Sequence, residues 1–229
     1  MILRQLFDSD SSTYTYLLAG TQSRQAIIVD PVREHARRDL GLLKELGLAL
    51  VYILETHVHA DHVTGASALK QVTGAQTGVS RHCGASGFDQ LLDDGDVMAF
   101  GGESVLVIAT PGHAPGSRCF LWRDRLLTGD TLLIGGCGRT DFQRGDSGVL
   151  YDSITHRLFT LPEDTLVYPG HDYKGRRVST IAEEKSTNPR LAGKTRDQFI
   201  KIMNNLDLSM PGKIEEAVSA NLRGGRTNE

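Results

Sequence analysis

Apolar and polar positions along the chain fall into short runs whose period changes repeatedly. Residues 2–7 (ILRQLF), 13–19 (TYTYLLA) and 26–30 (AIIVD) read as strands, alternating or continuously apolar and rich in Tyr, Ile and Leu. Over 34–46 the spacing lengthens: Leu40, Leu43 and Leu46 stand three apart, which predicts one apolar face of a helix. A buried strand is predicted at 48–54 (LALVYIL), then a polar loop, then a short helix over 66–72. Further β-type runs lie at 76–80, 96–100, 104–110, 118–123 and 125–128, separated by Gly, Asp and Pro. A longer helix is predicted over 147–160 and a strand at 164–168. Beyond residue 172 the pattern is helical and charged, with no further strand expected. Strands alternating with helices around a core predict a layered α/β architecture.

Composition narrows the class without naming it. A chain of 229 residues suits one large domain, or one with a small appendage. A net charge of -3 gives no electrostatic case for nucleic acid or an anionic membrane. No apolar stretch is long enough to span a bilayer, and the start MILRQLFDSDSS lacks the apolar core of a signal peptide, so a cytoplasmic location is expected. Cys83, Cys119 and Cys137 are odd in number and form no CxxC, which argues against a disulfide framework and a zinc ribbon.

The candidate chemistry sits after the predicted strand 48–54, where residues 55–65 read ETHVHADHVTG. His57, His59, Asp61 and His62 form an H-x-H-x-D-H cluster, and imidazole with carboxylate suits zinc, iron or manganese. The bland alternative is a solvated polar loop, which a position directly after a buried strand argues against. An internal echo adds to this. VLVIATPGH ends at His113 and DTLVYPGH at His171, each an apolar strand running through Pro-Gly to a histidine. Gly permits a tight turn and Pro stops sheet pairing, so both turns can present an imidazole at one sheet edge. RLLTGD delivers Asp130 in the same manner. Four strand ends would then carry metal-type ligands.

The order His57, His59, Asp61, His62, His113, Asp130, His171 resembles the ligand order of the metallo-β-lactamase superfamily. The resemblance implies an αββα sandwich, with a catalytic domain over 1–185 and a short helical C-terminal extension over 186–229 packed on the same domain. Three further stretches, TGDTLLIGGCGRTDFQRG (128–145), YPGHDYKG (168–175) and STIAEEKSTNPRL (179–191), are similar to the persulfide dioxygenase family within it. That resemblance implies oxidation of glutathione persulfide by O2 to sulfite and glutathione at a single Fe(2+). The implied iron ligands are His57, His113 and Asp130, a two-histidine, one-carboxylate triad with open positions. His59, Asp61, His62 and His171 are then surrounding residues or a second metal position. The carboxylates of glutathione call for a cationic or hydrogen-bonding wall, for which Arg139, Tyr173 and Lys174 are the candidates; alternatively Arg139 pairs with Asp141 to hold its loop. Cys137 reads as a buried structural thiol, and Asn188, Pro189 and Arg190 as residues that fix the path of the C-terminal segment. The family suggests a homodimer, and with no fused sulfur-transfer domain the persulfide comes free or from a separate enzyme. The competing enzyme class is a binuclear thioesterase similar to glyoxalase II, for which every ligand is also present. A non-enzymatic metal-binding scaffold is the third reading.

Overall fold

Side chains that alternate along the strands are sorted between three apolar layers. The computed structural model of the chain describes residues 1–20, 22–209 and 213–226. Its first sheet holds, in spatial order, β1 (Ile2–Asp8), β2 (Thr13–Ala19), β3 (Gln25–Val29), β4 (Ala49–Leu54), β5 (Gln76–Ser80) and β6 (Gln90–Leu92). The second holds β7 (Val97–Phe100), β8 (Glu103–Ala109), β9 (Arg118–Trp122), β10 (Arg125–Gly129), β11 (Leu166–Pro169) and β12 (Ser179–Thr180), also consecutive in space. Along β2, Tyr14, Tyr16 and Leu18 face inward against Val105, Val107, Phe120, Trp122 and Leu127 of the second sheet. Leu17 and Ala19, one residue out of phase, face the opposite way. This two-residue period lets each strand feed two layers.

Helices cover both outer faces. α1 (Ala36–Leu46) and α2 (Ala66–Thr73) pack on the first sheet through Leu43, Ala66 and Leu69. The second sheet is covered by α3 (Ser147–Ser153), α4 (Ile181–Thr187) and α5 (Arg196–Asn204), which bring Leu150, Ile181, Phe199 and Met203 onto Ile108, Cys119, Leu126 and Val167. The result is the expected αββα sandwich. The last helix, α6 (Ile214–Asn221), stands apart from these and packs Ala217 and Ala220 on Val63, in the loop after β4.

Strand direction explains where the ligand-bearing turns go. β8 and β10 are both antiparallel to β9, and β11 is parallel to β10, so the C-terminal ends of β8, β10 and β11 share one edge. The first sheet meets that edge where Arg118 N–H donates to the Thr56 carbonyl at 2.8 Å and Tyr14 N–H to the Gly170 carbonyl at 2.8 Å. Three details differ from expectation. β6 and β12 are short strands that the hydrophobic pattern does not reveal, and β12 lies beyond residue 172, pairing Thr180 with Leu166 and Ser179 with Val167. Two or three residues are too few to show a period. The helix expected over 147–160 is α-helical only to Ser153 and then widens into a π-type turn, closed by Phe159 N–H on the Ile154 carbonyl at 2.8 Å.

Candidate metal centre

Each ligand-bearing turn is shaped by a local constraint. Pro111-Gly112 ends β8, and Gly112 has a φ of +137°. A Cβ there would lie 2.3 Å from the Leu150 Cα, so glycine lets the turn lie against α3 and aim His113 inward. In Pro169-Gly170 the limit is close approach: a Cβ on Gly170 would lie 2.7 Å from Asp130 Oδ1. β10 slips register against β11 between Leu127 and Gly129, which turns Asp130 off the sheet. Its carbonyl then accepts from Gly138 N–H at 2.7 Å, closing the 130–138 loop back on itself.

These turns and the loop after β4 bring all seven sequence candidates together. Ligand atoms of His57, His113 and Asp130 lie within 4.8 Å of one another, and so do those of His59, Asp61 and His62. Asp130 lies between the clusters, with Oδ2 3.8 Å from His113 Nε2 and Oδ1 3.4 Å from His171 Nε2. Four imidazoles are held in the same tautomer. His113 Nδ1–H donates to the Arg139 carbonyl at 2.7 Å and His171 Nδ1–H to the Ser12 carbonyl at 3.2 Å. His62 Nδ1–H donates to Asp61 Oδ2 at 2.9 Å. His57 Nδ1 lies 3.0 Å from Thr56 Oγ1, whose own proton goes to Asp30 Oδ2 at 2.8 Å. Every Nε2 lone pair is thereby left for another partner, which is how metal-ligating histidines are commonly oriented.

Electrostatics favour the same reading. Burial, reinforced by His59 and His113, pushes the His57 imidazole well below its ordinary value, and burial also lowers His62. Both are neutral, the form that ligates. Burial alone would raise Asp61, but His171 and His62 override it and hold the carboxylate well below its usual range. Asp130 Oδ1 and His62 Nε2 are buried and have no hydrogen-bond partner. Orphan acceptors converging in a buried place are costly unless a cation completes them. The donor set therefore fits a divalent metal.

Sequence reasoning missed a third layer of carboxylates behind the loop. His59 Nε2 lies 3.1 Å from Asp30 Oδ1 and 3.5 Å from Glu55 Oε2, all three side chains being buried. Burial would lower His59, but Asp30 overrides it and holds the imidazole well above its usual value. Asp30, at a φ of +51°, also accepts Thr56 N–H at 2.7 Å. In the sequence it reads only as the polar end of a strand before Pro31.

A cavity of about 670 Å³ opens over the cluster, with His57, His113 and Asp130 in its lining. Arg139 and Tyr173 line it as expected. Lys174 does not; its backbone N–H caps Asp172 Oδ2 at 2.8 Å, and the other cations in the lining are Arg190 and Lys213. Arg139 makes the ion pair weighed as its alternative role, with Nε and Nη2 on the Asp141 carboxylate at 2.7 and 2.6 Å. It also donates to the carbonyls of Ser209 and Leu208 at 2.6 and 3.2 Å and lies over the Phe142 ring. Tyr173 lies with its ring parallel to that of His171, centroids 6.1 Å apart, while its side chain is largely exposed. Cys137 is buried, its thiol pushed up to about 11 by burial, in keeping with a structural role. Arg190 Nη1 donates to the Cys137 carbonyl at 2.7 Å and Asn188 Nδ2 to the Gly136 carbonyl at 3.0 Å. The Asn-Pro-Arg stretch thus props the cavity-lining loop.

Comparison with known proteins agrees with this geometry. The metallo-beta-lactamase superfamily model matches residues 9–171. The mitochondrial persulfide dioxygenase ETHE1 of Homo sapiens is 49% identical over 228 residues, spanning 98% of this chain and 89% of the relative. The crystal structure of ETHE1 from Myxococcus xanthus superposes with a TM-score of 0.97 at 53% identity, covering 99% of this chain and 100% of that one. A more distant structure, TTHA1623 in a di-iron-bound form, has a TM-score of 0.69 at 26% identity and covers 82% of this chain and 100% of its own. With its ligand turns, its fold and near-full-length likeness in agreement, the chain belongs to the metallo-beta-lactamase superfamily and, within it, to the persulfide dioxygenase family.

Proposed function

We propose that this persulfide dioxygenase oxidises glutathione persulfide with O2 at one Fe(2+) held by His57, His113 and Asp130. The balanced reaction consumes persulfide, O2 and water and yields glutathione, sulfite and two protons. Three oxygens join the terminal sulfur, the S–S bond breaks, and the inner sulfur leaves as a thiolate that takes a proton. The observation that carries the reading is the cluster His57, His113 and Asp130, with its unpartnered Asp130 Oδ1, lining a cavity that also holds three cations. Iron, when bound there, supplies the one-electron chemistry that O2 requires and zinc lacks. The like fold of TTHA1623, solved in a di-iron-bound form, supports iron as the metal.

The chain's own residues do the rest. The Arg139 and Ser12 carbonyls keep His113 and His171 from rotating, so their lone pairs stay aimed inward. Arg139, Arg190 and Lys213 place cations in the cavity lining that the two carboxylates of glutathione can meet. Tyr173 presents a largely exposed phenol to the cavity beside His171. Three free cysteines suit a reducing compartment such as the cytoplasm, and among the described residues no helix is long and apolar enough to cross a membrane.

Two measurements test this reading. Protein purified without oxygen should contain about one iron per chain and little zinc, because the triad is a single redox site. It should consume O2 only when glutathione persulfide is supplied. Two zinc ions per chain, with hydrolysis of glutathione thioesters, would replace the proposal by the binuclear hydrolase.

Arg139→Ala should raise KM for glutathione persulfide by about 10-fold or more, the scale of losing a charge-assisted hydrogen bond of about 1.5–3 kcal/mol. Both the cation and its hold on the 208–209 backbone are removed. Iron content should persist, since His113 uses the Arg139 carbonyl, which alanine retains. Unchanged KM with lost iron would assign the side chain to folding alone.

A further inference from the structure

We infer that Asn221, at the end of α6, is a positioning residue that holds the H-x-H-x-D-H loop in its ligating shape. The inference rests on the metal reading of that loop. Asn221 is 3% exposed, and its amide serves three backbone groups of the loop. Nδ2 donates to the carbonyls of His59 at 2.9 Å and His62 at 2.8 Å, while Oδ1 accepts from Thr64 N–H at 2.8 Å. Two acceptors and one donor leave a single workable orientation of the amide. The loop's other anchors serve different residues. Gln143 Nε2 reaches the Val58 carbonyl at 3.0 Å, Arg33 N–H the Val63 carbonyl at 2.9 Å, and Gly65 N–H the Pro31 carbonyl at 2.7 Å. Without Asn221, three polar backbone groups around the ligand residues would lose their partner.

The placement of the amide is itself enforced. Ala217 and Ala220 pack on Val63, so α6 is keyed to the loop by small residues on one side. Ser86 N–H donates to the Leu222 carbonyl at 2.7 Å and fixes the chain just past the helix. At Gly225 a Cβ would lie 2.4 Å from the Thr64 carbonyl oxygen, so the chain after α6 passes against the same loop. Asn221 does not line the cavity, so its contribution goes to the shape of the metal loop and not to substrate contact.

The test compares Asn221→Ala with Thr195→Ala, which removes the helix cap of α5 far from the loop. In metal-free protein, hydrogen exchange at the Thr64 amide should accelerate in Asn221→Ala and stay unchanged in Thr195→Ala. Loaded with iron, Asn221→Ala should release it to a chelator about 10-fold faster or more, the usual scale for residues that orient ligands. Its kcat should fall while KM stays within about 2-fold of wild type. If Asn221→Ala does not fold, Asn221→Asp keeps the shape and the Thr64 acceptor but loses the donors, and should show the same faster release. Unchanged Thr64 exchange in Asn221→Ala, or wild-type iron release in either folded variant, would overturn the inference. Wild-type protein that binds no iron would instead remove the metal reading, and Thr64 exchange would still decide the loop contact.

Discussion

Asp130→Ala should leave a folded protein with background iron and background activity, whereas Asp61→Ala should keep measurable iron and part of its turnover. The contrast follows from what each carboxylate touches. Asp130 stands between His113 and His171, and its Oδ1 has no hydrogen-bond partner, which leaves it open to a cation. Asp61 is already occupied: Thr13 Oγ1 donates to it at 2.9 Å and His62 Nδ1 at 2.9 Å. In the one-iron reading Asp61 orients its neighbours, and its loss costs about 10–100-fold in affinity or activity, short of the whole site. In a two-metal hydrolase it would bind the second ion directly. Metal analysis of both variants beside wild type separates these cases. A drop from two ions to one in Asp61→Ala would end the single-iron account.

Gly138→Ala should be a severely damaging single-methyl change at the site. An added Cβ would lie 2.2 Å from the Asp130 carbonyl oxygen and 2.8 Å from His113 Nδ1. Neither is the loose end of a flexible side chain. The same backbone N–H donates to Asp130, so relieving the clash means breaking that bond and shifting two ligand residues together. Overpacking of this kind costs about 1–3 kcal/mol, which at about 2–4 °C per kcal/mol is a clear fall in Tm. Metal loss should accompany it. Gly136→Ala is the matched control, because a Cβ there meets its nearest atoms only at 4.0 Å. Equal stability and equal iron in the two variants would show that the 130–138 loop yields freely and does not brace the ligands.

The clustered histidines and aspartates were legible because each stands where an apolar run stops, and their types are rare enough to register together. The sheet sandwich was legible for a related reason: β2, β8 and β9 feed two layers, and their patterns show it. What escaped reading has physical causes. β6 and β12 owe their existence to hydrogen bonds with β5 and β11, not to a period of their own. Asp30 and Asn221 carry no local signal, since each acts on a loop that only the fold brings near. Lys174 was read as a wall residue from its nearness in sequence to His171, but the chain caps Asp172 at that point. Lys213 faces the cavity instead, from beyond α5.

His57 hangs from the first sheet, while His113, Asp130 and His171 hang from the second. An ion held among them is therefore a cross-link between the two halves of the sandwich, joining residues far apart in sequence. Binding that favours the folded state adds about 1.4 kcal/mol for each tenfold of free ion above its dissociation constant. Starvation for that ion would then shorten the lifetime of the protein itself, because a larger unfolded fraction is open to proteases. Supply of the ion would govern how much enzyme persists as well as how fast each molecule turns over.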